Sequence, residues 1–221
     1  MTPERTPLRA DGTLAPMALH ILIPCKALAL GKSRLSPMLS APERAALCAE
    51  LLCRTLDCAL AIVPAERCHL VSADAAAADL ARARRVGTIA EPPDAGLNPA
   101  LGQARDTICA DAAAALLVLP IDLPLASARA VQALVATGGD VVAAPDRHGR
   151  GTNALYLAAT AASAFIFRFG GGSLAAHRAE AEARGLSFRL FEDPALAFDL
   201  DEPEDLRDWR AFTSAPAPRR P

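Results

Sequence analysis

The clearest strand of the chain lies in residues 113–124, which read Ala113-Ala114-Ala115-Leu116-Leu117-Val118-Leu119-Pro120-Ile121-Asp122-Leu123-Pro124. An apolar run that ends at a proline is typical of a strand buried on both faces of a parallel sheet. Asp122 follows this strand and lies between two prolines. Because ligands bind beyond the carboxyl ends of such strands, Asp122 is a candidate ligand-binding residue, although an Asp in this position is more often a helix N-cap.

Strand and helix patterns alternate on both sides of this segment. Further strands are predicted at residues 18–23, 68–72, 86–90, 140–144, 152–157 and 186–191. Helices are predicted at residues 42–63, 74–84, 97–112, 127–137 and 173–184. The alternation indicates an α/β fold with a mostly parallel sheet that is covered by helices on both faces.

Length and composition indicate one globular domain. The chain has 221 residues, of which 52% are hydrophobic and 22% charged, and its net charge is −2. We expect a single domain over residues 18–213 and disordered tails at 1–17 and 214–221. The near-neutral charge and scarcity of aromatic residues argue against nucleic acid as a partner. No signal peptide or long apolar run is visible, so we expect a cytoplasmic protein.

The six cysteines do not indicate a disulfide framework in a chain of this kind. Cys48, Cys53 and Cys58 follow one another at steps of five, which rotates successive side chains by roughly 140° around a helix. These thiols therefore cannot converge on one metal. Cys25, in the loop after the first strand, is interpreted as a packing residue.

An acidic stretch, Phe198-Asp199-Leu200-Asp201-Glu202-Pro203, precedes the last helical pattern. If this stretch is extended, Asp199 and Asp201 point to one side and Leu200 packs on the other. Together with Asp122 they form an all-oxygen set, which suits Mg²⁺ better than zinc. We therefore expect these three aspartates to be metal ligands. The alternative is a solvated turn whose acids begin the next helix.

Three cations, Lys26, Lys32 and Arg34, lie in the loop after the first strand. They could cradle a triphosphate, so we expect them to act in catalysis by offsetting charge on a nucleotide. Gly31-Lys32-Ser33 invites a P-loop interpretation, but that motif requires a glycine where Lys26 stands. The P-loop is rejected, and a basic solvated loop is the remaining alternative.

Two glycine-containing segments, residues 149–153 and 169–173, could form a site for an acceptor phosphate. Glycines allow backbone amides to approach an anion closely, and Ser173 stands where an N-cap hydroxyl would add to them. Simple flexible turns are the alternative. His148 is either a solvated loop residue or a residue that helps to choose the acceptor.

Eight short motifs follow one another along the chain in an order that resembles the order found in one family of enzymes. They are Pro24-x-Lys26, Gly31-Lys32-Ser33-Arg34-Leu35, Gly96-Leu97-Asn98, Asp122-Leu123-Pro124, Pro145-Asp146-Arg147, Gly151-Thr152-Asn153, Phe169-Gly170-x-x-Ser173 and Asp199-x-Asp201-x-Pro203-x-Asp205-Leu206. The set covers about residues 18–213 and resembles the guanylyltransferases of coenzyme F-420 biosynthesis. These enzymes are described as 2-phospho-L-lactate, phosphoenolpyruvate or 3-phospho-D-glycerate guanylyltransferases.

The resemblance implies a three-layer, Rossmann-like nucleotidyltransferase fold of the nucleotide-diphospho-sugar transferase type with a mostly parallel mixed sheet. It also implies GTP as donor and a requirement for Mg²⁺. It implies metal ligation by Asp122, Asp199 and Asp201. It also implies that the phosphorylated acid binds at Thr152, Gly170 and Ser173. His148 is a further candidate contact for this acid because of its place in the loop near these residues; the family does not assign it. These assignments rest on the family and not on spacing alone.

Nucleotide binding is expected at Lys26 and at Gly96, Leu97 and Asn98, the last three near the base or ribose. Two other functions stay open. The chain could be a nucleotidyltransferase of the same fold with a molybdopterin or sugar-phosphate acceptor, or a non-catalytic GTP-binding protein. The oligomeric state is also open, with a homodimer as one option.

Overall fold

A computed structural model describes residues 18–92, 96–110 and 114–214 of the chain. Within these ranges the strands are β1 (Leu19–Pro24), β2 (Cys68–Val71), β3 (Gly87–Ile89), β4 (Ala115–Val118), β5 (Val141–Pro145), β6 (Thr152–Leu157) and β7 (Phe188–Leu190). The α-helices are α1 (Ala41–Leu60), α2 (Ala75–Arg82), α3 (Leu97–Cys109), α4 (Ala128–Ala136), α5 (Ala159–Ala162), α6 (Ser173–Ala183), α7 (Pro194–Ala197) and α8 (Pro203–Ser214). Short 3-10 helices occur at Leu28–Leu30, Ser33–Leu35 and Ala65–Arg67.

The strands form one sheet in the order β3-β2-β1-β4-β6-β5-β7. The paired strands are parallel except where β6 runs antiparallel to both β4 and β5. Every residue of β4 is buried, as the apolar run in the sequence predicts. The predicted mostly parallel mixed sheet is confirmed.

Helices cover both faces of the sheet because successive strand residues point to opposite sides. In β1, Ile21 and Ile23 belong to one core, which also holds buried residues of α1, α2 and α4. Leu22 belongs to the other core, with buried residues of α3 and α6. A third cluster, which includes Leu51, Leu200 and Trp209, joins α8 to the outer side of α1. The result is a three-layer α/β domain.

Local sequence accounts for the starts of several helices. Ser40 begins α1 through a capping box with Glu43, and Asp74 and Ser127 accept backbone hydrogen bonds at the starts of α2 and α4. The helix α8 extends to Ser214, one residue into the predicted tail. The rest of both predicted tails lies outside the described residues. No helix in the described ranges has both the length and the apolar character needed to cross a membrane.

Candidate active site

A cavity of about 470 Å³ opens at the edge of the sheet where β1 and β4 end. Most of the residues predicted to be functional line it: Lys26, Lys32, Leu97, Asp122, Thr152, Gly170, Ser173, Asp199 and Asp201. Segments far apart in sequence therefore meet at the edge where open α/β sheets bind ligands. Arg34, Gly96, Asn98 and His148 are not among the lining residues.

Backbone contacts bring the three predicted metal ligands to the same cavity. The Leu200 amide donates to the Asp122 carbonyl oxygen at 2.9 Å, which ties the acidic stretch to the loop after β4. Leu200 is fully buried, as predicted, while Asp199 and Asp201 on either side of it face the cavity. The stretch itself is a loop and not a strand, but the alternation of side chains is kept.

Negative charge is concentrated around Asp122. Burial raises the pKa of its carboxyl group; Lys32 lowers that pKa, and the carboxylates of Asp201 and Asp199 raise it further. An additional cation in the cavity would favour the ionised form of this carboxyl. The electrostatics of the site therefore suit a bound cation.

One of the three carboxylates, that of Asp201, already forms an ion pair with Lys32. Its ammonium nitrogen lies 3.0 Å from Asp201 Oδ1, and its side chain is only 8% exposed. Among the described residues, no three His, Cys, Asp or Glu side chains are grouped closely enough to hold a metal ion as they stand. The predicted ligands thus border one cavity, but they do not form a closed ligand cluster.

The other two cations of the loop differ in position. Lys26 is exposed and lines the cavity, whereas Arg34 pairs with Glu202 at 3.1 Å outside it. The pair between Arg34 and Glu202 is solvent-exposed, so it contributes little to stability. Arg34 therefore does not reach the cavity in this structure. Cys25 is buried, and burial raises the pKa of its thiol to about 12, which fits its interpretation as a packing residue.

The predicted acceptor residues form a second cluster in the cavity. The Thr152 amide, at the start of β6, donates to Ser173 Oγ at 2.8 Å, and the Thr152 hydroxyl lies 2.9 Å from Nδ1 of His177. Ser173 is not the N-cap that the sequence predicted, because Gly172 holds that position with a φ of 71°. The hydroxyl of Ser173 instead joins α6 to β6.

Asn98 is engaged with a backbone segment beside this cluster. Its side-chain amide donates to the Phe169 carbonyl at 2.9 Å and accepts from the Phe169 amide at 2.8 Å. Leu97 next to it does line the cavity, and Gly96 precedes α3 with a φ of 74°. Contact of these three residues with base or ribose stays a prediction.

His148 lies in a tight turn between β5 and β6. Asp146 Oδ1 accepts from the amides of His148 at 3.1 Å and Arg150 at 2.8 Å. A Cβ at Gly151 would lie 2.8 Å from Asp146 Oδ2, so a side chain there would push against the carboxylate that holds the turn. His148 is exposed, and its role in choosing an acceptor stays a prediction.

The chain also matches a known protein family along most of its length. A family model described as guanylyl transferase CofC like matches residues 19–211. The chain belongs to this family. The resemblance seen in the sequence is thereby confirmed, and the protein is a nucleotidyltransferase of the guanylyl-transferring type.

Individual relatives agree with the CofC-like assignment. The chain is 39% identical over 194 residues to a phosphoenolpyruvate guanylyltransferase of Rubrobacter xylanophilus, covering 86% of this chain and 92% of that protein. It is 41% identical over 187 residues to a 3-phospho-D-glycerate guanylyltransferase of Phenylobacterium zucineum, covering 79% and 81%. Among solved structures, 4-diphosphocytidyl-2C-methyl-D-erythritol synthase of Anaerococcus prevotii has a TM-score of 0.64 at 8% identity, covering 90% and 97%. At that identity the likeness shows the fold alone.

Arg147 belongs to the Pro145-Asp146-Arg147 motif of this CofC-like chain, but the motif alone does not indicate what the side chain does. The Arg147 guanidinium donates to the Asp199 carbonyl at 2.6 Å and pairs with Asp205 at 2.8 Å. It also lies over the ring of Phe198 at 4.8 Å. Arg147 therefore fastens the acidic stretch to the loop after β5. The motif was the one signal that could have pointed to it.

Asp205 completes this attachment from the other side. Its Oδ2 accepts from the amides of Asp201 at 2.9 Å and Glu202 at 2.7 Å, at the start of α8. These hydrogen bonds hold the backbone of the acidic stretch in one conformation. Asp205 therefore positions Asp201 and is not itself a cavity residue.

Proposed function

We propose that this CofC-like enzyme transfers GMP from GTP to a small phosphorylated carboxylic acid in coenzyme F-420 biosynthesis, in the cytoplasm. Phosphoenolpyruvate and 3-phospho-D-glycerate are the acceptors named for its relatives. One observation carries the proposal. A single cavity holds a charged cluster of Lys32 and three aspartates together with a separate cluster of hydroxyl and glycine groups.

The two clusters suit the two reactants. A phosphate oxygen of the acceptor attacks the α-phosphorus of GTP; the new P–O bond forms as the bond to pyrophosphate breaks. Since the second pKa of a phosphate monoester is about 6, the attacking group is already largely dianionic at neutral pH. No general base is needed. In the described part of the chain, no histidine lines the cavity.

Catalysis then depends on position and charge. Lys26 and Lys32 offset negative charge on the triphosphate and on the departing pyrophosphate. The hydroxyl groups of Thr152 and Ser173 and the backbone at Gly170 orient the acceptor. Holding both reactants in one geometry turns a bimolecular step into an effectively unimolecular one.

The carboxylates of Asp122, Asp199 and Asp201 are the residues that would hold Mg²⁺. Their oxygen donors suit this ion, and it would relieve their mutual repulsion, which adds to the larger effect of burial in raising the pKa of Asp122. When bound, Mg²⁺ neutralises charge on the reacting phosphates. Mg²⁺ as the cofactor is part of the proposal.

The test is pyrophosphate release from GTP and Mg²⁺ with phosphoenolpyruvate, 2-phospho-L-lactate and 3-phospho-D-glycerate offered separately. We expect release only when an acceptor is present. Asp201→Asn should abolish it with little change in thermal unfolding, whereas Glu202→Gln, an exposed neighbour, should stay active. Binding of GTP without pyrophosphate release with any of the three acids would contradict the proposal.

A further inference from the structure

His177 lies at the centre of a chain of hydrogen bonds behind the acceptor cluster. Its Nε2 accepts from the Arg168 amide at 3.0 Å, and its Nδ1 lies 2.9 Å from Thr152 Oγ1. The Thr152 amide in turn donates to Ser173 Oγ at 2.8 Å. The sequence placed His177 only on a helix face, but its side chain is fully buried.

The partners determine which nitrogen of His177 carries the proton. A backbone amide can only donate, so the Nε2 that faces Arg168 must be an unprotonated acceptor. A neutral imidazole then carries its proton on Nδ1 and donates it to Thr152 Oγ1. A doubly protonated ring would turn an N–H toward the Arg168 amide, which has no acceptor to offer.

The surroundings of His177 keep the ring neutral and in place. Burial lowers its pKa to about 4; the nearby Glu180 opposes this and Arg168 adds to it. The ring packs against Phe169 with centroids 4.8 Å apart and against Phe165 at 5.9 Å. The imidazole therefore has one tautomer and one orientation at neutral pH.

This tautomer makes the Thr152 hydroxyl an acceptor, and the Thr152 amide independently does the same for the Ser173 hydroxyl. Each hydroxyl has one O–H left to donate, and both residues are buried and line the cavity. Two O–H donors at one place suit an oxyanion, since a carboxylate or phosphate oxygen can only accept.

We propose that His177 is a positioning residue for the acceptor: it fixes the Thr152 hydroxyl as a donor, so that Thr152 and Ser173 together present two O–H groups to an anionic oxygen of the acceptor. This inference rests on the proposed function for the identity of the ligand. It does not make His177 a catalytic residue, because the ring touches Thr152 and not the cavity.

A direct test of the arrangement needs no substrate. In protein labelled with ¹⁵N-histidine, two-bond ¹H–¹⁵N spectra at pH 7 should show the His177 ring as the neutral Nδ1–H tautomer. The assignment of that signal comes from its loss in His177→Gln. An Nε2–H tautomer or a charged ring at pH 7 would overturn the inference, whatever the enzyme's activity.

Two conservative variants distinguish the hydrogen bond of the His177 ring to Thr152 from its hydrogen bond to the Arg168 amide. In His177→Gln, the side-chain oxygen can replace Nε2 as an acceptor, but the donor to Thr152 is lost. In His177→Asn, the side-chain NH₂ can replace Nδ1 as the donor to Thr152. We expect His177→Gln to raise KM for the acceptor about tenfold, the cost of one misdirected hydrogen bond, and His177→Asn to stay within about threefold of the wild type.

The rise in KM for the acceptor that we expect in His177→Gln should depend on the Thr152 hydroxyl. In a Thr152→Val background, His177→Gln should raise the acceptor KM no further, because the group through which it acts is gone. KM for GTP should change less than twofold in each variant. Additive effects in the double variant, or equal changes in both KM values, would indicate general disruption and overturn the proposal.

His69→Gln is the matched control. His69 is a second histidine whose pKa is lowered mainly by burial; it is only partly buried, and its Nε2 is hydrogen-bonded to His20 at 2.9 Å, away from the cavity. It should lower stability without changing either KM. If the wild type shows the Nδ1–H tautomer but no turnover with any phosphorylated acid, the proposed function fails while the hydrogen-bond arrangement stands.

Discussion

Replacing Gly31 with Ala should lower kcat strongly while lowering the free energy of unfolding only moderately. A Cβ at Gly31 would lie 2.5 Å from Cys48 Sγ, about 1 Å inside ordinary contact distance. Gly31 directly precedes Lys32, whose ammonium holds Asp201 at 3.0 Å. Cys48 is 2% exposed and belongs to the 20-residue helix α1, so the loop should move and not the helix.

The size of the effect follows from that displacement. A shift of about 1 Å in a positioned group can cost on the order of 10² in rate, while overpacking of a buried site costs about 1–3 kcal/mol. We therefore expect kcat of Gly31→Ala to fall about 100-fold. Because the loop can move away from the helix, the variant's free energy of unfolding should fall by about 1–2 kcal/mol, the lower part of that range.

The assay is pyrophosphate release under saturating GTP and acceptor, with urea unfolding measured on the same samples. Cys48→Ala removes the sulfur that the new methyl group would meet, so the double variant should recover most of the lost activity. Cys48→Ala alone is the control for the cavity that this change creates. A Gly31→Ala enzyme with wild-type kcat, or a double variant with no recovery, would refute the reasoning.

Three further predictions concern neighbouring parts of the site. Arg147→Met should lower kcat about tenfold by loosening the acidic stretch, whereas Arg207→Met, which breaks an exposed ion pair on α8, should not; steady-state kinetics of both variants check this. Asn98→Ala frees the backbone of Phe169 and should raise KM for the acceptor in steady-state kinetics; a rise in KM for GTP alone would instead support the nucleotide contact expected from the sequence. The pKa of His177 is about 4 in the folded protein against 6.5 ordinarily, so below pH 6.5 the unfolded chain binds a proton that the folded chain does not. Stability should therefore fall as the pH drops, by about 2 to 3 kcal/mol at pH 4.5 from this residue, and this extra pH dependence should disappear in urea titrations of His177→Gln.

Much of the fold could be predicted because its signals are local. Apolar runs, N-cap residues and prolines identified β4, α1 and α4 to within a few residues of their observed bounds. The short helices α5 and α7 were missed, since four residues carry too little periodicity to distinguish a helix from a loop. The antiparallel direction of β6 was also not predicted, because it depends on a turn and not on the strand itself.

The site could be predicted only in part, because a sequence shows which side chains are present but not which ion pairs and hydrogen bonds they form in the fold. The alternation around Leu200 correctly placed Asp199 and Asp201 at one cavity. Nothing in the sequence shows that Arg34 pairs with Glu202 outside it. Ser173 resembles an N-cap, yet the tertiary contact with Thr152 takes its hydroxyl.

The direction of β6 explains why charged side chains and hydroxyl side chains line the same cavity. Parallel strands such as β1 and β4 bring only their carboxyl ends, and the loops that follow, to the binding edge of the sheet. Because β6 runs the other way between β4 and β5, its first residue, Thr152, lies at that same edge. In the proposed assignment, the loops after β1 and β4 and the acidic stretch before α8 bind the nucleotide, and the start of β6 offers the acceptor a hydroxyl held by the sheet. On this proposal, the reversal of one strand places the acceptor groups beside the nucleotide groups within one domain.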